Sequence, residues 1–230
     1  MKKILVVSCS ARSSKEKENI LIYQSLRILK HEVRLELHYD NKTPLPVVYN
    51  RYLTPKYKKK YDIVVFAHDD VYIDDLKLRG KLYGGLKQFD IVGLAGCLNP
   101  VIKSPAMWHL MSEPKDYRGF VGHAHKQDVN LIHMSAYGPS PSRVMLVDGL
   151  FMAVNLKTIL DTDWKFNENF SFHHYDLAAS LDANYAQLKL GVIPIHVIHA
   201  SMGLHNYHDK EFQQSQSKFL ELYTPALNTA

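Results

Sequence analysis

The sequence predicts an α/β fold, a mostly parallel central sheet flanked by helices. Three observations predict it. Continuous apolar runs at residues 4–7, 63–67 and 91–95 read as strands buried on both faces, as parallel strands covered by helices are. Segments with apolar residues at helical spacing lie between those runs. The chain has 230 residues, 46% hydrophobic and 22% charged. That length buries roughly 70% of the unfolded surface without disulfides or a structural metal.

Residues 4–7 follow Lys2-Lys3, a pairing that resembles the opening of a signal peptide. The apolar part is too short for one, and Arg12 and Lys15-Glu16-Lys17-Glu18 follow at once, so this is a first strand. Residues 8–14 form a small polar loop, in which Ser13 or Ser14 caps a helix carrying Ile20, Tyr23, Leu26 and Leu29. Val33, Leu35 and Leu37 alternate with polar residues as a half-buried strand does. After a loop at 40–46, a short helix carries Val48, Tyr52 and Tyr57, with Pro55 interrupting it. The strand at 63–67 ends in His68-Asp69-Asp70. Residues 76–86 read as a helix broken at Gly84-Gly85, and 91–95 as a fourth strand.

The alternation then stops. Residues 98–142 show little periodicity and hold Trp108, Tyr117, Tyr137 and four histidines, which reads as a long, weakly structured functional segment. Strand character returns over 144–154 around Asp148-Gly149. Residues 176–190 read as a helix terminated by Gly191. Pro194 marks 192–198 as an edge or bulged strand. A polar helix over about 209–223 closes the chain.

Composition limits the partners. The net charge is +5 and the pI about 9.0, unevenly placed: up to Asp90 there are 18 Lys+Arg against 11 Asp+Glu, and beyond it 10 against 12. A basic first half suits an anionic partner or a solvated basic face. Two cysteines, Cys9 and Cys97, make no disulfide framework and read as buried reduced thiols. No apolar stretch approaches the roughly 20 residues of a membrane span, so a cytoplasmic protein is expected. Thirteen histidines stand out, ten of them at His109 or later.

Four features carry chemistry. The acidic pair in His68-Asp69-Asp70 lies at the carboxyl end of a strand, where ligands gather in parallel sheets. Adjacent carboxylates repel unless a cation or proton offsets them, though loop acids are common there. Asp148 and Gly149 interrupt an apolar run, as a ligand approach or a simple bulge would. Asp176 falls in the first turn of a helix, either as a dipole-stabilising acid or as a general base at a pocket rim. His199 ends a late strand and offers an imidazole to a metal, while His205 and His208 read as a solvated tail.

Taken in order, these features resemble a family. The Ser8 to Arg12 loop, Asp40-Asn41, Pro46-Val47-Val48-Tyr49-Asn50, Val64-Val65-Phe66-Ala67-His68-Asp69-Asp70-Val71, Val147-Asp148-Gly149, Tyr175-Asp176 and His199 follow the pattern of GT-A glycosyltransferases. The chain is most similar to the small family-2-like glycosyltransferases of bacteria and their viruses, over residues 3–203. The resemblance implies a GT-A (nucleotide-diphospho-sugar transferase) domain over 1–205, with a nucleotide-binding half at 1–97 and an acceptor half at 98–205, and a helical tail at 206–230. It implies that His68-Asp69-Asp70 matches the metal-binding DxD motif, with His68 in place of the first Asp. Asp70 would be the principal metal ligand, Asp69 would contact the ribose or sugar, and His199 would complete the metal shell. Ser8, Ser10 and Arg12 would flank the nucleoside, Asp40 would accept the uracil N3–H, and Asp148 and Gly149 would meet the donor sugar. Asp176 would be the base, with Tyr175 where the family carries an acid.

The implied activity is a hexosyltransferase-like transfer from a nucleotide-diphosphate sugar, a UDP-sugar, using Mn²⁺ or Mg²⁺ and inverting the anomeric carbon. The acceptor would be a glycan, lipid-linked or protein hydroxyl, with residues 98–142 as its wall and no nucleic acid expected. Two rivals stay open. A sugar-nucleotide nucleotidyltransferase needs a glycine-rich basic loop after the first strand, whereas residues 8–14 hold one arginine and no glycine. A non-catalytic nucleic-acid or polyanion binder would use Lys56-Tyr57-Lys58-Lys59-Lys60, a run that also fits a solvated helix end.

Overall fold

The computed structural model describes residues 3–125, 128–200 and 209–227. Its centre is a seven-stranded sheet in the order β2-β1-β3-β11-β5-β12-β9. The strands are β1 (Ile4–Cys9), β2 (Val33–His38), β3 (Ile63–Ala67), β5 (Ile91–Gly93), β9 (Ser142–Val144), β11 (Phe151–Asn155) and β12 (Leu190–Val192). β2, β1, β3, β5 and β12 run one way, while β11 and β9 run the other. Every residue of β3 is buried, as its unbroken apolar run requires.

A second sheet crosses the carboxyl end of the first. It joins β10 (Leu146–Val147), β6 (Ala95–Cys97), β7 (Tyr117–His125), β13 (Val197–His199) and β4 (Val71–Ile73), with β8 (Asp128–Gly138) paired to β7. The helices are α1 (Leu21–Leu26), α2 (Leu45–Asn50), α3 (Pro55–Lys58), α4 (Leu78–Gly85), α5 (Leu156–Leu160), α6 (Tyr175–Tyr185) and α7 (Lys210–Leu227). A 3₁₀ turn, Ser14–Asn19, leads into α1, and the Glu16 carboxylate accepts the Ser13 N–H at 3.1 Å to cap it. None of the described helices is long and apolar enough to cross a membrane.

The placement of β11 matters most for the site. It inserts antiparallel between β3 and β5, with Phe151 opposite Ala67. The start of β11 therefore sits beside the end of β3. Asp148-Gly149 is delivered to the edge that carries His68, although some 80 residues separate them in sequence. Beneath that edge Tyr49, Phe66 and Phe166 pack ring against ring, at 4.6 Å for Tyr49–Phe66 and 5.0 Å for Phe66–Phe166.

Four expectations are corrected. Residues 98–142 are not weakly structured throughout, because β7 and β8 form a long antiparallel hairpin across much of them. Gly191 does not terminate the helix before it: the chain turns out of α6 at Gln187, which has φ 59°, and Gly191 lies inside β12. A side chain at Gly191 would meet the Phe89 ring at about 2.4 Å, so close packing is what calls for glycine there. Residues 192–198 are the ends of two strands in different sheets, divided around Pro194. The fourth run is likewise two strands, β5 in the first sheet and β6 in the second.

Candidate functional site

Three side chains converge where the sheets meet. His68 follows β3, Asp70 precedes β4, and His199 ends β13, opposite Val71 of β4 and His123 of β7. The Ala200 N–H donates to the Asp70 carbonyl at 2.9 Å and the His68 N–H to the Leu150 carbonyl at 3.0 Å, so backbone bonds fix both turns. One donor atom each from His68, Asp70 and His199 lies within 4.8 Å of the others. His199 Nε2 is 3.2 Å from Asp70 Oδ1, a buried oxygen that makes no well-formed hydrogen bond beyond that approach. Burial pushes the Asp70 pKa up, but the hydrogen bond and charge of His199, with His68 behind it, outweigh burial and hold it below its ordinary 3.8.

The His68 proton can be placed. The Tyr175 hydroxyl donates to the Gly149 carbonyl at 2.7 Å, and it has a single proton. Its 3.1 Å contact with His68 Nε2 therefore requires the hydrogen on that nitrogen, which leaves the lone pair on Nδ1. Burial lowers the His68 pKa and keeps the ring neutral. A neutral imidazole whose other N–H is anchored is the form in which histidine binds metals.

Beside this cluster runs a cleft of about 260 Å³ lined by Ser10, Asn41, Tyr49, Asp69, Asp70 and Phe172. Ser10 Oγ donates to Asp69 Oδ2 at 2.5 Å and accepts the Arg12 N–H at 3.1 Å. The Asn41 N–H donates to the Ser10 carbonyl at 2.9 Å and the Asp40 N–H to the Arg12 carbonyl at 3.0 Å, which brings the loops after β1 and β2 together. Asp40 is exposed, in a left-handed conformation (φ 48°), and Asn41 is the neighbour that faces the cleft. Ser8 is not at the cleft surface; it is fully buried within β1 and its hydroxyl has no partner among the described residues. Cys9 lines the cleft, but burial and Asp69 push its thiol up to about 12, so it is not a nucleophile at neutral pH.

On the other side of His68 a smaller pocket of about 160 Å³ is lined by Trp108, His109, Asp148, Gly149, Phe172 and Asp176, among others. Asp176 stands in the first turn of α6, and its Oδ2 accepts the Gly149 N–H at 2.9 Å. A Cβ at Gly149 would lie 2.6 Å from the Tyr175 hydroxyl and 2.9 Å from Asp176 Cβ, so only glycine lets these groups close on the turn. Asp148 accepts from the Trp108 indole N–H at 2.8 Å and the Leu150 N–H at 2.9 Å. Burial and the neighbouring Asp148 charge raise the Asp176 pKa from 3.8 to about 7, against the pull of backbone N–H groups.

The structure thus brings Asp69, Asp70, His199, Ser10, Asp148, Gly149 and Asp176 to one edge, leaves Asp40 and Arg12 at its rim, and sets Ser8 apart. Three residues that the structure places at this edge were given no role from the sequence: His68 and Tyr175, each standing where the family carries an acid, and Phe172. His205 and His208 lie outside the described residues.

The two layered sheets, with the loops that carry His68, Asp70 and Asp148 gathered at the strand ends, define a GT-A-like α/β fold. The chain matches the glycosyltransferase-like family over residues 5–223, and it belongs to that family. Among solved structures it is similar to the crystal structure of A197 from STIV, with a TM-score of 0.50 and 11% identity over 84% of this chain and 82% of that one. That likeness is one of fold. No curated protein matches the chain.

Proposed function

We propose that this protein transfers a sugar from a nucleotide-diphosphate donor, a UDP-sugar, to an acceptor hydroxyl with inversion at the anomeric carbon. The observation that carries this reading is a pair of carboxylates in opposite electrostatic states on either side of His68. Asp70 is held ionised beside two imidazoles, and Asp176 is poised near neutrality in the adjoining pocket. The first suits a cation and its diphosphate, the second an acceptor proton.

A divalent cation fits the His68, Asp70 and His199 donors, because Asp70 offers a buried, under-bonded oxygen and His68 a fixed lone pair. Two imidazoles with one carboxylate favour Mn²⁺ over Mg²⁺, which prefers oxygen ligands. Bound there, the ion would supply Lewis-acid stabilisation of the departing diphosphate. The chain's own residues do the rest. Ser10 holds Asp69 toward the cleft, where Asp69 would meet the ribose or sugar and the Arg12 loop the nucleoside. Asp40, at the rim beside Asn41, would accept the uracil N3–H. Asp148, clamped by Trp108 and the Leu150 N–H, would orient the donor sugar against Gly149. Asp176 would accept the acceptor hydroxyl proton, and its raised pKa makes it a usable base near pH 7.

The test is nucleotide release from a panel of UDP-sugars with Mn²⁺ and with EDTA. Nucleoside diphosphate should appear with Mn²⁺, vanish with EDTA and return on adding metal back. Pyrophosphate as the product would replace this reading with a nucleotidyltransferase. Activity indifferent to EDTA would remove the metal.

A further inference from the structure

We infer that the groove between α7 and the segment at residues 169–173 is a saccharide subsite, and that the acceptor is therefore a glycan. The inference rests on the transferase reading for its link to catalysis, though the groove itself is defined independently of it. The cavity measures about 460 Å³, room for a sugar ring and its substituents, and Ser171, Phe172, His173, Glu211, Gln214 and Lys218 are among its walls.

Phe172 carries the argument. It is 53% exposed, although its neighbours Phe166 and Phe170 are buried. Its ring is nevertheless supported, stacked on His68 at 5.5 Å and 28°. Phe172 also lines all three cavities at this edge: the Ser10–Asp70 cleft, the Asp148–Asp176 pocket and the α7 groove. An exposed aromatic face stacked on His68, in the same pocket lining as Asp176, is a platform for the apolar face of a pyranose ring.

The opposite wall supplies the complementary chemistry. Glu211, Gln214 and Lys218 are exposed on α7 and offer a carboxylate, an amide and an ammonium to sugar hydroxyls. The wall is braced from behind. Ser215 Oγ donates to the His173 carbonyl at 2.9 Å and lies 2.8 Å from His174 Nδ1, while Gln216 Oε1 accepts the Ala106 N–H at 2.8 Å. Phe212 and Phe219 are buried beneath it. Such bracing lowers the ordering cost of binding. A lipid chain would need a continuous apolar trough, which this polar wall interrupts.

The experiment is saturation-transfer NMR on the full chain without nucleotide, using methyl glucoside, methyl galactoside and methyl N-acetylglucosaminide, with octyl phosphate as the lipid-like probe. At least one glycoside should bind. Binding should weaken roughly five- to tenfold in Phe172→Ala, recover in Phe172→Tyr, and weaken in a Glu211→Ala, Gln214→Ala double variant. Those two residues are exposed, so the double variant should melt at the wild-type temperature. The inference is overturned if no glycoside binds at 20 mM (about the weakest affinity a single stacked sugar would show), if binding survives the Phe172 and α7 changes, or if octyl phosphate alone shows the Phe172 dependence. A separate UDP and Mn²⁺ titration of the wild-type protein reads the donor site, so either reading can fail without the other.

Discussion

Two carboxylates that each share a lined space with the same histidine have been driven in opposite directions. Asp70 and Asp176 both lie in confined surroundings that disfavour charge. Asp70 meets two imidazoles and is held below its ordinary pKa, while Asp176 meets a second acid, Asp148, and rises to about 7. Burial alone sets neither role. The sign of the nearest charge separates them, and on that difference rest the proposed roles of Asp70 as cation ligand and Asp176 as proton acceptor.

The strongest way to break this comparison is Asp70→Ala. Losing the carboxylate should abolish Mn²⁺ binding by calorimetry and lower turnover about 10³-fold, a loss of several kcal/mol of charge stabilisation. Undiminished turnover would remove Asp70 from the site. Next, Asp176→Asn should lower turnover about 10²- to 10³-fold while UDP still binds. The wild-type rate should rise with pH through about 7, as Asp176 loses its proton.

The same group has a stability signature. Its folded pKa lies above its ordinary 3.8, so its favourable contribution is full below about 4 and is lost as pH rises toward 7. Asp176→Asn escapes that loss and should melt a few °C above wild type at pH 8, with the gap closing at pH 4. A gap independent of pH would contradict the assigned shift.

Tyr175→Phe sharpens the other half. It keeps the buried ring but removes the oxygen that anchors His68 Nε2, and should weaken Mn²⁺ binding roughly 10- to 100-fold with the fold intact. Gly149→Ala is expected to act on stability rather than on metal binding. Its Cβ would crowd the Tyr175 hydroxyl, costing about 1–3 kcal/mol in chemical denaturation and loosening the Asp176 contact. A neutral result would mean that the turn can shift.

What was readable in the sequence follows from these same particulars. β1 and β3 announce themselves because strands covered on both faces are apolar throughout. Asp70, His199 and Asp176 could be singled out because strand ends and helix starts are where ligands gather. The β7–β8 hairpin could not, since Leu131, Ile132 and Met134 are exposed on it and erase the alternation a half-buried strand should show. His68 could not be read as a candidate ligand before its nearness to Asp70 and its contact with Tyr175 were known. Phe172 could not be separated from Phe166 and Phe170, because exposure is a property of the folded chain.

The antiparallel insertion of β11 also governs how this molecule comes into being. In chain order β3 and β5 precede β11, so the place between them can be filled only once residues 151–155 have been made. Until then both carry unpaired edges, the kind that invite another chain. A fragment ending at Cys97 inherits that gap permanently and should aggregate. The strand that brings Asp148 and Gly149 to the edge thus also joins β3 to β5, while β12, Asp176 and His199 are added by later parts of the chain.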